Sequence, residues 1–298
     1  MHIQLLLSNV LVIVATCKGQ NHHLYELVEP MVDINRRELS QSGQLHFYAL
    51  GDVPYLYQEV EALPLQMAVL SSNADFVMHV GDLKTRSQQC LEQHYSTLAT
   101  IMERSLVPVF NTIGDNDVVE CEDIHQAYSL WHSTFKDFDS KWNKPYKVSR
   151  QDGRLENFAF EHNNVFVIGL HVLHTNFSEA PMMYSVADDT LTWWTSHELS
   201  MKNASAVVIF SHTYPEHPKF QMVKDALADT VTALPDTPFL YIHGDKHSFL
   251  ADNPIPDADN FLRVIVDKGG IADPLEVLVD SRAEAPFKLK RRAYLSDS

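Results

Sequence analysis

Five short strings in this chain set an acid or an imidazole behind a glycine or a serine. They are Gly51-Asp52, Gly81-Asp82, Gly114-Asp115, Ser211-His212 and Gly244-Asp245, the last followed two residues on by His247. Carboxylates and imidazoles gathered in one place suit Zn, Mn or Fe, and two ions can share a bridging carboxylate. A single Gly-Asp is equally well explained as the turn that closes a strand. Four of them, together with His212 and His247, point to a shared site.

The strings have a common setting. Short apolar runs at 45–50, 76–80, 107–113, 206–211 and 239–243 each stop at one of them, and a sixth run lies at 165–170. These are the lengths of buried strands, and helical patterns at 56–73, 91–104 and 193–201 lie between several of them. Such alternation predicts an α/β core with a site on one edge of a sheet, where ligands bind in open α/β folds. Residues 261–266 and 275–279 alternate in part and read as a closing hairpin or a pair of edge strands. The aromatic and Lys-rich stretch 131–155 reads as an excursion from the core, and 20–44 as an irregular, charged leader. No repeat or linker composition follows Gln44, so a single domain is expected over 45–298.

Composition narrows the function. The chain has 298 residues, 45% of them apolar, enough for a substantial core. With 23 basic and 39 acidic residues the formal charge is −16, which argues against surface binding of nucleic acid or anionic membranes. An anionic substrate stays possible where bound cations reverse the local sign. Neither Gly-x-Ser-x-Gly, Gly-x-x-x-x-Gly-Lys-Ser/Thr nor Gly-x-Gly-x-x-Gly occurs, so a serine hydrolase or a nucleotide-binding enzyme finds no support.

The apolar stretch at 5–15, ahead of Thr16 to Gly19, suits the core of a secretory signal peptide over 1–19; a buried N-terminal strand is the other reading. Cleavage there would remove Lys18 and shift the formal charge from −16 to −17. Export agrees with the acceptor tripeptides at Asn176 and Asn203. It would also leave Cys90 and Cys121 as an even pair, read as one disulfide or as two free thiols. The expected locale is secreted or endomembrane lumen, with no membrane contact after cleavage, since no other run approaches spanning length.

In their order, these motifs resemble those of the calcineurin-like metallophosphoesterases, which include the purple acid phosphatases. That family runs Asp-x-His, Gly-Asp, Gly-Asn-His-Glu/Asp, a strand-end His, then Gly-His-x-His. The stretches here are Gly51-Asp52-Val53-Pro54-Tyr55, Gly81-Asp82-Leu83-Lys84, Gly114-Asp115-Asn116-Asp117, Ser211-His212 and Gly244-Asp245-Lys246-His247. Within that family the chain resembles a divergent branch of predicted secreted phosphoesterases that carries Gly-Asp-x-Pro-Tyr, Gly-Asp-Asn-Glu/Asp and His-Gly-Asp-x-His.

The resemblance implies a four-layer αββα sandwich and a secreted phosphoesterase with two divalent or trivalent metal ions (Mn, Fe, Zn or Mg). By position, Asp52 and His247 would hold the first ion, Asp82 would bridge, and Asp115 and His212 would hold the second. A metal-bound hydroxide would then attack the phosphorus of a phosphate ester in line. Pro54 replaces a ligand His, with Tyr55 or water left to fill its place, and Asp245 replaces another His as an oxygen ligand. Asn116 stands at the catalytic His; an amide donates a hydrogen bond but is no general acid. Such an oxygen-rich, acidic cluster attracts phosphate weakly and shifts metal preference toward Mn, Mg or Ca. Lys84, Arg86 and Lys246 either restore positive potential at the phosphate, Lys84 and Lys246 foremost, or are ordinary solvated charges. His171 and His174 read as core or surface residues before they read as site residues, and His243 as a packed strand residue. The same exchanges sustain an alternative, a non-catalytic scaffold of this fold that acts as a binding protein.

Overall fold

A computed structural model describes residues 25–27, 42–174 and 181–292. The signal segment 1–19, most of the leader and the Asn176 tripeptide lie outside them. Among the described residues no helix is long and apolar enough to cross a membrane.

The strands are β1 (Tyr25–Leu27), β2 (Gln44–Leu50), β3 (Phe76–His79), β4 (Val109–Asn111), β5 (Ser149–Gln151), β6 (Arg154–His162), β7 (Val165–Gly169), β8 (Ala206–Phe210), β9 (Phe239–His243), β10 (Leu250–Asp252), β11 (Phe261–Ile265), β12 (Leu275–Asp280) and β13 (Phe287–Lys290). They form one sheet in the order β1-β13-β12-β2-β3-β4 and a second in the order β10-β11-β9-β8-β7-β6-β5. Among the described residues six α-helices accompany them: α1 (Tyr57–Val69), α2 (Glu92–Met102), α3 (Ile124–Phe135), α4 (Pro181–Ser196), α5 (Glu198–Asn203) and α6 (Gln221–Ala233).

Strand periodicity sorts the side chains into layers. In β2, Leu45, Phe47 and Ala49 join Phe76, Phe110, Phe160, Val208 and Phe210 in a cluster drawn from both sheets. Tyr48 and Leu50 point the other way and pack with Leu63, Met67, Tyr95 and Leu98 of α1 and α2. On the second sheet, Phe166, Ile168, Val207 and Ile209 meet Trp194, Val223 and Leu227 of α4 and α6 in the same manner. The result is helix, sheet, sheet, helix: the four-layer α/β sandwich. Aromatic pairs tie the middle together, with Phe47 stacked on Phe76 at 5.0 Å and Phe76 edge-on to Phe160 at 5.6 Å.

Three segments depart from the expectation. Residues 261–266 and 275–279 form neither a hairpin nor edge strands, because β11 lies between β10 and β9 and β12 between β13 and β2, in different sheets. The true edges, β1 and β4 of one sheet and β10 and β5 of the other, have three residues each, too few to leave a clear alternating pattern. The stretch 131–155 is no excursion: Trp131, Phe135 and Phe138 are buried beside α2, and Tyr146 reaches the layer between the sheets. The leader is not wholly irregular either, since β1 pairs in parallel with β13.

Candidate metal centre

Parallel pairing aligns the carboxyl ends of β2, β3 and β4 on one edge and those of β8, β9 and β11 on the facing edge. Asp52, Asp82 and Asp115 follow the first three strands; His212 follows β8, and Asp245 and His247 follow β9. Main-chain bonds fasten these turns to one another. Asp52 N–H donates to the Gly81 carbonyl at 3.0 Å and Gly244 N–H to the His212 carbonyl at 3.0 Å. Across the two sheets, Asp245 N–H donates to the Asp52 carboxylate at 3.2 Å.

The turns are tight. Asp52, Asp82, Asp245 and His247 all take left-handed backbone angles, φ 56°, 62°, 68° and 60°. Such angles are uncommon outside glycine and concentrate at functional sites. Gly114 and Gly244 are glycine for a second reason: a Cβ on Gly114 would collide with Asp82, and one on Gly244 with the Asp52 carboxylate.

The side chains converge on one another. Ligand atoms of Asp52, Asp82 and His212 lie within 4.8 Å of each other, as do those of Asp115, His212 and Asp245. Asp52, Asp82, Asp115 and His212 are buried. His247 is half exposed and reaches Asp52 Oδ1 at 3.2 Å, so it stands at the open side of the cluster. Its hydrogen bond to Asp52 raises its pKa above the ordinary imidazole value.

The residues fit a cation. His212 Nδ1 lies 2.9 Å from the Val80 carbonyl and serves as its donor, which turns Nε2 toward Asp82 Oδ1 at 3.3 Å and Asp115 Oδ1 at 3.5 Å. That Nε2 has no hydrogen-bond partner among the described residues. An imidazole nitrogen set between two carboxylates calls for positive charge there, carried by a proton on the imidazole or by a cation. The titration directions agree. Burial, with Asp115, Asp117 and Asp52 nearby, holds the Asp82 carboxyl well above its usual range despite His212. Burial works against a charged His212, yet Asp82, Asp115 and Asp52 prevail and raise it well above the ordinary value. Burial also pushes Asp115 up, but the hydrogen bond and charge of His212 and the Asn116 N–H outweigh it and leave Asp115 lowered.

Asn116 lies inside this group. Its side-chain amide donates to Asp82 Oδ2, and its backbone N–H to Asp82 Oδ1 at 3.1 Å. Two further residues complete the arrangement. The Tyr55 hydroxyl donates to Asp82 Oδ2 at 3.0 Å, within the motif where Pro54 displaced a histidine. Burial first, then Asp82 and Asp52, keep that phenol protonated far above its ordinary range. Asp117 collects the N–H groups of Gly114 at 2.7 Å, Leu83 at 2.8 Å and Asp82 at 3.2 Å, binding the third turn to the second. The acid that ends the third motif signalled this role, but spacing does not distinguish a loop-bracing carboxylate from a ligand. Replacing Tyr55 with Phe is expected to weaken metal affinity about 10- to 100-fold, the usual effect of losing a group that orients a ligand. Calorimetric titration of metal into the stripped protein measures it.

The two lysines differ. Lys84 is enclosed, at 0% exposure, and donates only weakly to the Thr85 carbonyl at 3.4 Å. It is therefore neither a solvated charge nor an open substrate contact. Its ammonium, lowered by burial against the pull of Asp117 and Asp82, acts as an internal countercharge to the acidic cluster. Lys246 is half exposed and pairs with Asp245 Oδ2 at 3.0 Å. Arg86 is exposed and pairs with Glu120 at 2.7 Å. His171 is enclosed in a separate ion-pair network, and His174 is exposed.

Cys90 and Cys121 form a disulfide, their Cα atoms 5.7 Å apart, directly against the Asn116 and Asp117 carbonyls. Thiol titration of the denatured protein is expected to find neither of these cysteines free until a reductant is added.

The family model for the calcineurin-like phosphoesterases matches residues 45–262. Solved structures share the fold. The 5'-nucleotidase from Candida albicans SC5314 aligns at TM-score 0.52 and 14% identity, over 88% of this chain and 53% of that one. PhoD aligns at TM-score 0.52 and 9% identity, over 82% and 65% of the respective chains. A purple acid phosphatase, PPD1 from yellow lupin seeds, aligns at TM-score 0.47 and 11% identity, over 86% and 55%. No curated protein matches in sequence. This chain thus spans little more than half of the nucleotidase, and the structural likeness speaks for the fold alone. The sequence match carries more, because it reaches from β2 into β11 and so takes in every turn of the cluster; the chain belongs to the calcineurin-like phosphoesterase family.

Proposed function

We propose that this chain is a secreted, metal-dependent phosphoesterase that hydrolyses phosphate esters at a two-metal site. The observation that carries the reading is the convergence of Asp52, Asp82, Asp115, Asp245 and His212, with His212 Nε2 within 3.5 Å of both Asp82 and Asp115. Asp52, Asp82 and His247 would hold one ion, and Asp82, Asp115, His212 and Asp245 the other. When bound, the pair supplies an activated water and charge to stabilise in-line displacement at phosphorus. The protein contributes the geometry. Tyr55 and Asn116 fix the Asp82 carboxylate, Asp117 braces the two turns, and Lys84 offsets part of the acidity from within. Export is supported by the apolar stretch at 5–15, by the disulfide and by the exposed Asn203 acceptor.

The binding-protein alternative draws on one specific observation. The Asn116 amide is engaged by Asp82 at the position where the family places a histidine, so no acid stands there to protonate a leaving group. Elemental analysis of the purified protein, beside hydrolysis of an aryl phosphate across a panel of divalent ions, separates the two. Two metals per chain with turnover support the enzyme. Bound metal without turnover under any ion leaves the scaffold reading, and protein that folds with neither sinks the two-metal site.

A further inference from the structure

We propose that the Cys90–Cys121 disulfide is a redox latch on the candidate metal centre. It holds the Asp115–Asn116 turn against Asp82, so that occupancy of the cation position at Asp115 and His212 depends on whether the bond is formed; this rests on the two-metal reading above. Asp82 lies in the loop 80–91 between β3 and α2, and Asp115 and Asn116 in the loop 112–123 between β4 and α3. Neither loop contains a helix or a strand of its own.

Outside the ligand cluster itself, three ties among the described residues join these loops. The Asp117 carboxylate accepts the N–H groups of Leu83 at 2.8 Å and Asp82 at 3.2 Å. Arg86 meets Glu120 at 2.7 Å, but its side chain is 65% exposed and solvent screens the pair. The third tie is the disulfide, which alone is made and broken by a redox reagent.

Its sulfurs stand directly behind the turn. Cys121 Sγ lies 3.4 Å from the Asp117 carbonyl and 3.8 Å from that of Asn116, and Cys90 Sγ lies 3.9 Å from the latter. Neither sulfur of a disulfide carries a proton, so these are packing contacts. They back the Asn116 main chain while its side-chain amide reaches forward to Asp82. The Asp52 turn is secured without the disulfide, by Asp52 N–H on the Gly81 carbonyl and Asp245 N–H on the Asp52 carboxylate. Opening the latch therefore frees one side of the cluster and leaves the other. Loss of a group that orients a ligand typically weakens metal affinity about 10- to 100-fold.

Cys90 is partly exposed, between the exposed Gln89 and Leu91, which gives a small dithiol its approach. A thiolate of the dithiol attacks one sulfur, and its second thiol closes on the mixed disulfide. The reductant leaves as a cyclic disulfide, and two electrons and two protons end on Cys90 and Cys121 as thiols. On the export reading the reverse step, oxidation in a lumenal compartment, completes the cation position.

The test titrates Mn²⁺, a hard cation that thiols hold poorly, into three samples of the full chain. These are the oxidised protein, the protein reduced with dithiothreitol and desalted without air, and the reduced protein reoxidised. Reduction is expected to weaken the second Mn²⁺ at least tenfold and the first less than twofold, with recovery on reoxidation. Cys90→Ser/Cys121→Ser should match the reduced sample and ignore the oxidant. Amide exchange of the metal-free protein supplies a readout without metal: reduction should speed residues 112–121 at least tenfold and leave 44–52 and 239–245 unchanged. That local change, with fewer than two ions bound in every state, upholds the latch on the turn and counts against the two-metal reading instead. The proposal is overturned by equal affinities in both redox states, by a loss shared equally between the ions, or by unchanged exchange at 112–121. Exchange that rises throughout the chain, or a bond that resists the dithiol in the folded protein, overturns it as well.

Discussion

Asp82→Asn is expected to abolish phosphoester turnover while raising the melting temperature of the metal-free protein. The loss in rate should be on the order of 10³-fold or more, at least that seen when one group stabilising a transition state is removed. Asp82 is the only one of the candidate ligands that accepts both Tyr55 and the Asn116 amide, and an amide at this position cannot supply the bridging charge. The gain in stability has a separate origin. A carboxyl whose folded pKa is raised contributes stability below its unfolded value of 3.8 and loses it as pH climbs through the folded value. At neutral pH the metal-free wild type therefore bears the cost of ionising Asp82 among Asp52, Asp115 and Asp117. The Asn side chain does not. Each kcal/mol recovered is worth about 2–4 °C in a chain of this size. Calorimetry in chelator at pH 7 and at pH 4 should show the variant ahead at the higher pH and the difference shrinking at the lower. A variant that melts below the wild type at pH 7, or one that keeps its turnover, would contradict this account.

Glu156→Gln is expected to cost about 1.5–3 kcal/mol at neutral pH, the range for hydrogen bonds to a charged group, with no effect on metal stoichiometry. Glu156 of β6 is buried, and its two oxygens meet His171 Nδ1 at 2.8 Å and His132 Nε2 at 2.9 Å. The Tyr128 hydroxyl lies 3.2 Å from the far nitrogen of His171, and Arg154 sits 4.0 Å from Glu156. Burial alone would raise this carboxyl, but hydrogen bonds from His132 and His171 and the charge of His171 drive it well below its ordinary range. The sign is opposite to that at Asp82. A depressed acid contributes stability that is complete above its unfolded value of 4.5 and fades as pH falls toward the folded one. Denaturant titrations should therefore show the wild type losing stability faster than the variant below pH 4.5, with the two curves converging in acid. Parallel curves would mean that the network acts through packing alone.

These two carboxylates also show what a sequence discloses of a site. Asp82 was legible because it ends a buried apolar run, and five strings with that property place their acids and imidazoles on adjoining strand ends. Parallel pairing does the rest. Tyr55 was legible only as a candidate to fill the place left by Pro54. Its contact with Asp82 is a matter of loop path, which residue type does not encode. Lys84 was misjudged because a lysine near a motif ordinarily points to water, and only the surrounding acids make its burial tolerable. The reading of 261–279 as a hairpin failed for a topological reason. Two alternating runs are near in sequence, yet the chain crosses from one sheet to the other between them. Glu156 gave no signal at all, since its partners His132 and His171 come from α3 and from the turn after β7, each remote from it in sequence.

The pairing of β1 with β13 bears on how the chain is to be handled and processed. Three residues near the start lie along the last strand of the first sheet, Tyr25 opposite Phe287 and Leu27 opposite Leu289. Without them β13 would present a free row of main-chain donors and acceptors, the kind of rim on which strands of other molecules stack. A protease cut ahead of Tyr25 leaves that rim covered, whereas one beyond Leu27 bares it. Trimming the N-terminal segment too far would then yield a protein with its metal ligands intact and a new tendency to self-associate.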